Sequence, residues 1–282
     1  MKFRGRMIDP QCMREFSNTV NTLSKLGRQG AICLTTTTVS FIIFDDGTPR
    51  RPLAQCTLEQ QYFFNEYTLV GVSEEHNQIC LQFSPELLAK AISNLKSPQA
   101  SKSMKLKLTK KTKPCITCEI ETITNFKHAR VCTHDVPVEI IPRKNWPEFQ
   151  LPPLPPFDFS IEMPVLKRFK YICDRMKFLS SQLILETTSG GILALKVETD
   201  LASVATYFTN LKVEKCPEHC DKDDKFDVVV DFKKIIGFLT IEQVNPTNVI
   251  CNIVNKKLIM MDVIHENVSL NYLIPGMLTN KV

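Results

Sequence analysis

No stretch of this chain approaches the roughly 18 consecutive apolar residues of a membrane-spanning helix, and the opening Met1-Lys2-Phe3-Arg4-Gly5-Arg6 lacks the apolar core of a secretory signal. Both absences predict a soluble intracellular protein without a membrane partner. Absent too are a phosphate loop, a dinucleotide-binding glycine fingerprint, a nucleophile elbow and a zinc-protease motif. The Gly190-Gly191 pair reads as a tight turn. An even cysteine count is also missing. Eleven cysteines are scattered along the chain with no export signal, which predicts reduced thiols in the cytosol or nucleus, most of them serving as small core residues. The sequence thus predicts no catalysis and no cofactor.

What is present is length and apolar content. With 282 residues and 43% apolar content, the chain suits two domains of about 140 residues better than one and is not disordered throughout. Its net charge of +5 is mild, so the placement of the charge carries more information than its size.

Residues 141–157 hold six prolines, which lack the N–H that helix interiors and sheet ladders use. This segment predicts an extended, semi-rigid connection, with a first domain over residues 1–142, a linker over 143–157 and a second domain over 158–282. Its place at the midpoint invites a search for an internal repeat.

The halves do match. The first opens with a short strand and a helical pattern carrying Met13, Phe16, Val20 and Leu23 at spacings of three and four. The second opens with the alternating Phe159, Ile161 and Met163, then a helix over residues 165–179 with Phe169, Ile172, Met176 and Leu179 on one face. Strand pairs follow, at 31–34 with 39–44 and at 182–186 with 191–199. Each half then shows a second capped helix. Ser84-Pro85-Glu86 puts serine at the N-cap and proline at the first helical position ahead of Leu87, Leu88, Ala91, Ile92 and Leu95, and Asp231 precedes Phe232, Ile235, Ile236 and Leu239. Three strands close each half, at 103–109, 115–122 and 131–140, and at 248–255, 258–265 and 268–274. The prediction is a duplicated α+β chain in which each domain packs two helices on antiparallel sheet. Residues 212–225, of mixed charge and without apolar period, read as a flexible surface loop.

Cations gather on the helices. Off the apolar stripe of the 165–179 helix lie Lys167, Arg168, Lys170, Arg175 and Lys177, five positive charges against the single Asp174. Arg14, Lys25 and Arg28 accompany the first helix, Lys90 and Lys96 the second, and Lys233 and Lys234 the fourth. Any one such helix reads as an ordinary solvated face. Four helices on one side of duplicated sheets instead predict a common positive surface for phosphates. With no aromatic residues expected among these cations, sequence-independent contact with a duplex backbone fits better than base stacking.

Other clusters carry less. Cys115-x-x-Cys118 falls in an alternating strand whose residues three apart face opposite ways. Cys216, His219 and Cys220 offer three zinc ligands without an evident fourth, and chance clustering is the simpler reading. Cys132, His134 and Asp135 hold the ingredients of a nucleophilic site, but a triad is set by geometry and not by adjacency. No metal site is expected.

Motifs along the whole chain carry a family resemblance. They include Met1-Lys2-Phe3-Arg4, Phe63-Phe64-Asn65-Glu66, Gly71-Val72-Ser73, Thr133-His134-Asp135-Val136-Pro137, Ile141-Pro142-Arg143-Lys144 with Trp146, Gln243-Val244-Asn245-Pro246-Thr247, Cys251-Asn252-Ile253-Val254-Asn255, and Val268-Ser269-Leu270 with Ile274-Pro275. In these the chain resembles the Hus family of subunits of the heterotrimeric nine-one-one checkpoint clamp, itself similar in fold to the proliferating-cell clamp. The resemblance implies two sliding-clamp domains in a ring of three subunits, with pore cations at Lys25, Lys233, Lys234 and Arg175. It also implies a non-catalytic role: encircling double-stranded DNA at damage sites, loaded by a clamp loader, and recruiting checkpoint kinase signalling and repair factors in the cell cycle and meiosis. The partners implied are two clamp subunits of the same fold, and the site of action is the nucleus, with the cytoplasm also open. A homotrimeric replication clamp is the alternative. Clamp subunits join by strand pairing and open edges need cover, so the expected subunit edges are residues 131–140, with Val131, Thr133, Asp135, Pro137, Val138 and Ile140, and residues 201–208, with Leu201, Ser203, Ala205 and Tyr207. Gln55 stands where the family usually has tryptophan, which puts strand packing there in question. The proline-rich connection is equally open to being a plain spacer or part of a peptide groove.

Overall fold

A computed structural model of the chain describes residues 1–44, 51–96, 101–123, 129–217, 221 and 224–277, with the side chains of residues 94, 96, 123 and 129 outside the description. The chain divides into two compact units, Met1–Leu151 and Pro152–Val282.

The first unit runs β1 (Lys2–Met7), α1 (Pro10–Leu26), β2 (Gly30–Leu34), β3 (Thr38–Phe44), β4 (Pro52–Glu59), α2 (Gln60–Phe63), β5 (Glu66–Val70), β6 (Ile79–Phe83), α3 (Pro85–Ala91), β7 (Ser101–Lys110), β8 (Pro114–Ile123) and β9 (Ala129–Ile140). Its strands lie in the order β4-β3-β2-β6-β9-β8-β7-β1-β5. Asp9 caps α1 by accepting the Gln11 N–H at 2.7 Å, and Pro10 occupies the first turn, where no N–H is needed. The 3.6-residue period then turns Met13, Phe16, Val20 and Leu23 inward. Phe16 lies 6.2–6.5 Å from the rings of Phe41, Phe63 and Phe64, and burying a side chain of this size contributes roughly 1.5–3 kcal/mol.

The second unit runs β10 (Phe159–Glu162), α4 (Leu166–Met176), β11 (Gln182–Thr188), β12 (Ile192–Glu198), β13 (Ser203–Phe208), β14 (Val213–Lys215), β15 (Lys225–Asp231), α5 (Phe232–Phe238), β16 (Asn248–Val254), β17 (Leu258–His265) and β18 (Val268–Pro275). Two sheets form, β14-β10-β16-β17-β18 and β13-β12-β11-β15. They repeat the first unit strand for strand, with β5-β1-β7-β8-β9 as one half and β4-β3-β2-β6 as the other. The duplication is therefore topological as well as sequential. In the first unit β6 pairs with the end of β9 and joins the two halves. Stacked rings fill the second core, with Phe169 on Phe208 at 5.8 Å and Phe238 on Tyr272 at 5.8 Å.

Several motif residues have structural tasks. Asn65 accepts the Ile8 N–H at 2.9 Å and its own N–H reaches the Arg6 carbonyl, tying β1 to β5. Gly71 binds Asn77 through its N–H at 2.7 Å, and a Cβ there would lie 2.3 Å from the Gln78 nitrogen. Asn245 ends the 3-10 turn after α5 at φ 55°, a left-handed conformation that asparagine tolerates.

Four expectations need correction. Residues 212–225 are not all loop, because β14 pairs there with β10, Lys215 opposite Ser160 and Val213 opposite Ile161. This strand is the counterpart of β5. The proline-rich connection is not extended throughout, since Arg143–Phe149 forms a 3-10 helix. It is held by Trp146 and Phe149 packing on the Ala31, Ile42, Phe44, Cys80 and Ile141 cluster, and by the Trp146 indole N–H donating to the Ile141 carbonyl at 3.1 Å. The 165–179 helix stops at Met176, leaving Leu179 exposed instead of on the apolar face. Leu87 is likewise exposed on α3, where Leu88 and Ala91 take the inner positions. β4 forms despite Gln55, which pairs with Ile42.

Candidate nucleic-acid interface

On α1 the positions left outside by the buried stripe include Gln11, Arg14, Asn18, Asn21 and Lys25, with Arg14 and Lys25 exposed and Arg28 exposed just beyond. α3 packs beside α1 and presents Lys90, which pairs with Glu86 one turn earlier at 2.7 Å. The Lys90 ammonium, with Lys25 and Arg28 adding to it, holds the Glu86 carboxyl below the usual range. Cations from two helices thus share one electrostatic neighbourhood. The Lys96 side chain lies outside the described residues.

In the second unit α4 turns Leu166, Phe169, Cys173 and Met176 inward, leaving Lys167 and Arg168 exposed. Two of the five expected cations are in ion pairs. Lys170 meets Glu242, from the turn after α5, at 3.2 Å, and Lys177 meets Asp174 at 2.7 Å. Lys233 is exposed in the first turn of α5, where its backbone N–H is taken by the capping Asp231 at 2.8 Å, and Lys234 beside it is half-buried.

The expectation that no aromatic residues stand among these cations is overturned. Tyr171 is 58% and Phe178 83% exposed. The Arg175 guanidinium sits 4.4 Å from the Tyr171 ring centroid and donates to its hydroxyl, and the Lys177 ammonium lies 5.4 Å from Phe178. The i, i+4 spacing of Tyr171 and Arg175 was the available signal. Phe178 was hidden because the helix ends three residues earlier than its apolar pattern suggests. The α4 surface can therefore offer flat rings as well as charge.

The expected subunit edges differ in kind. β13 is the outermost strand of its sheet, pairing among the described residues with β12 alone, and every one of its residues is exposed or half-buried. Leu201 precedes it at 98% exposure and Tyr207 lies within it at 60%, with Ser203 and Ala205 also exposed. β9 is not an open edge along its whole length. Residues 129–137 pair with β8 on one side only, but Val138 and Ile140 are paired with Phe83 and Leu81 of β6. The open stretch thus keeps Val131, Thr133, Asp135 and Pro137. Asp135 accepts from Lys111 at 2.5 Å and from Thr117 at 2.6 Å, and Lys111 holds its carboxyl below the usual range.

Cys115 and Cys118 are both buried in β8, and burial pushes Cys118 up to about 12. His134 sits opposite Cys118 in the β8–β9 register. His219 and Cys220 lie outside the described residues. No group of metal-ligating side chains occurs among the described residues, and no helix is long and apolar enough to cross a membrane.

Known proteins resemble this chain over its whole length. Residues 1–278 match the family model described as Hus1-like protein. The chain is 38% identical to the human checkpoint protein HUS1 over 282 residues, covering 98% of this chain and 100% of that one. It is 30% identical to a Drosophila melanogaster checkpoint protein Hus1-like over 76% of this chain and 77% of that one. Among solved structures, the proliferating cellular nuclear antigen of Entamoeba histolytica superimposes with a TM-score of 0.70 at 13% identity, covering 98% of this chain and 99% of that one. The PCNA2–PCNA3 complex of Sulfolobus tokodaii gives 0.66 at 14%, covering 97% and 98%. The fold is that of the sliding clamps.

Proposed function

The chain belongs to the Hus1-like protein family, and on that premise we propose that it is a non-catalytic subunit of a heterotrimeric checkpoint clamp that encircles double-stranded DNA at damage sites. The observation that carries this reading is the pair of open edges at unlike positions, residues 129–137 of β9 in one unit and β13 in the other. Two different edges on one chain make a head-to-tail contact, which forms a ring where the rotation between neighbours closes and a filament where it does not. Arg14, Lys25, Arg28, Lys90, Lys167, Arg168, Lys170, Arg175, Lys177, Lys233 and Lys234 supply charge for phosphates, and none of them reads sequence by doing so. Loaded in the nucleus by a clamp loader, such a ring recruits checkpoint kinase signalling and repair factors as a scaffold.

The heterotrimeric part rests on the family and the ring on the edges, so one experiment separates them. Light scattering of the purified chain is expected to give a monomer, and co-expression with two other clamp-fold subunits a 1:1:1 complex. A stable trimer of this chain alone would overturn the heterotrimer in favour of a homotrimeric replication clamp.

A further inference from the structure

β2 and β6 are neighbours, and their register sets Cys33 directly opposite Cys80. Both side chains leave the sheet on the face away from α1, because Ile32 and Leu34 take the helix side beside Phe16. The two sulfurs are 2.8 Å apart, inside the roughly 3.5–4.0 Å of ordinary non-bonded contact between carbons. Directly opposed residues in an antiparallel pair have Cα atoms about 4.5 or 5.5 Å apart, and both values fall in the range of about 4.4–6.8 Å that a disulfide spans. A shared metal is excluded by the same distance, because two thiolates on tetrahedral zinc, each at about 2.3 Å, stand roughly 3.8 Å apart.

The surroundings favour chemistry over inert packing. Cys33 and Cys80 line a cavity of about 200 Å³ with Gln55, Gln78, Trp146 and Phe149, several times the roughly 30 Å³ of one water. The Gln78 amide donates to the Cys80 sulfur at 3.1 Å. The Cys33 thiol, foremost, and this amide hold Cys80 below its ordinary thiol value, while Cys33 is pushed up. Cys56 and Cys251 instead are pushed up to about 12, chiefly by burial. The Gln78 N–H, aimed at the Cys80 sulfur, favours a thiolate there, so Cys80 is assigned as the nucleophile and Cys33 as the resolving partner.

We propose that Cys33 and Cys80 are a modification site, converted by a peroxide-class oxidant into a cross-strand disulfide. The Cys80 thiolate attacks one peroxide oxygen, an S–O bond forms, the O–O bond breaks, and the departing hydroxide takes up the proton Cys80 released, giving water. The Cys33 sulfur then attacks the sulfenic sulfur, the S–S bond forms, the S–O bond breaks, and the hydroxyl leaves with the Cys33 proton as a second water. Two thiols lose two electrons and one peroxide becomes two waters. Because Trp146 and Phe149 roof the same cavity, closing the bond reshapes the seat of the 3-10 helix in the connection.

The test uses the full chain, first reduced, then treated with hydrogen peroxide and mapped under non-reducing conditions by mass spectrometry. The expected result is a linked Cys33–Cys80 peptide. A parallel shift in fluorescence from Trp146, the sole tryptophan of the chain, should be reversed by a dithiol. In Cys33→Ser, Cys80 should stop at a sulfenic acid trapped by dimedone, and Cys80→Ser should react with peroxide at least tenfold more slowly at this pair. Recovery of both residues as free thiols after oxidation, or linkage of either to another cysteine in the folded wild-type chain, would overturn the proposal without recourse to any variant.

Discussion

β4 and β13 occupy the same place in the repeat, at the outer end of the order β4-β3-β2-β6 and of β13-β12-β11-β15. Yet β4 buries Leu53, Ala54, Cys56 and Leu58, and β13 buries none of its residues. The closing strands contrast in the same way. β18 buries Val268, Leu270, Tyr272 and Ile274, whereas Val136 is the buried residue of the stretch 130–137 of β9. Duplication preserved the pairing order while the side chains diverged, so that equivalent backbones carry a core strand in one unit and a surface strand in the other. One place in the pairing order thus carries a buried strand in one unit and an exposed strand in the other.

The sharpest way to break this comparison is to place a carboxylate at matched strands. Cys56→Asp puts a charge at a fully buried position of β4, at a cost on the order of several kcal/mol, and should abolish the cooperative unfolding transition seen by circular dichroism. Tyr207→Asp in β13 should leave the melting temperature of the isolated chain nearly unchanged but weaken assembly with clamp partners at least tenfold by sedimentation. If the two changes proved equally destabilising, β13 would be an ordinary core strand.

A third test compares cations. Lys167→Glu with Lys233→Glu should reduce retention on duplex DNA several-fold at low salt and lower the slope of log affinity on log salt by about one unit for each cation lost. Reversal at Lys170, which is paired with Glu242, should weaken binding less for the charge removed. Equal retention of wild type and double variant would remove these cations from the interface.

The smallest effect concerns acid. In β17 Asp262 accepts from Asn252 at 2.6 Å and Asn271 at 2.7 Å, yet burial raises its carboxyl above the ordinary 3.8. A folded-state value above the unfolded one means that folding takes up a proton. Its contribution to stability is then full below about the ordinary value and is lost as pH rises through the raised one. Asp135 and Glu121 in the first unit are lowered by Lys111 and Lys102 and act oppositely, losing their contribution as pH falls through their depressed values. Asp262→Asn should therefore flatten the part of the melting-temperature profile that rises toward acid, measured by calorimetry across mildly acidic buffers.

Local sequence carried much of this fold and less of the site. α1 was legible from apolar residues at helical spacing, and α3 and α5 also from the caps at Ser84 and Asp231 that precede theirs. β5, β6 and β14 were not, since these short strands lie among polar and turn residues that mask any alternation. The 3-10 helix at Arg143–Phe149 was hidden among prolines because what holds it is distant: Trp146 and Phe149 pack against residues from β2 and β3. The cations were legible by type but their partners were not. Lys170 and Glu242 stand 72 positions apart in the chain, and only tertiary packing makes them neighbours.

β9 has neighbours on both sides only near its end. Its residues 138–140 are taken by β6 while residues 129–137 face outward on that same side, so β6 works as an end-stop on a ruler. A strand laid along β9 can run beside at most nine residues, about 30 Å at 3.4 Å per residue, before it abuts β6 at Pro137, which offers no N–H to bond. A one-residue slip would turn every side chain of the incoming strand to the wrong face, and slipping toward β6 is blocked by main chain already in place. The joint would be aligned by its own backbone before any side chain had chosen its neighbour.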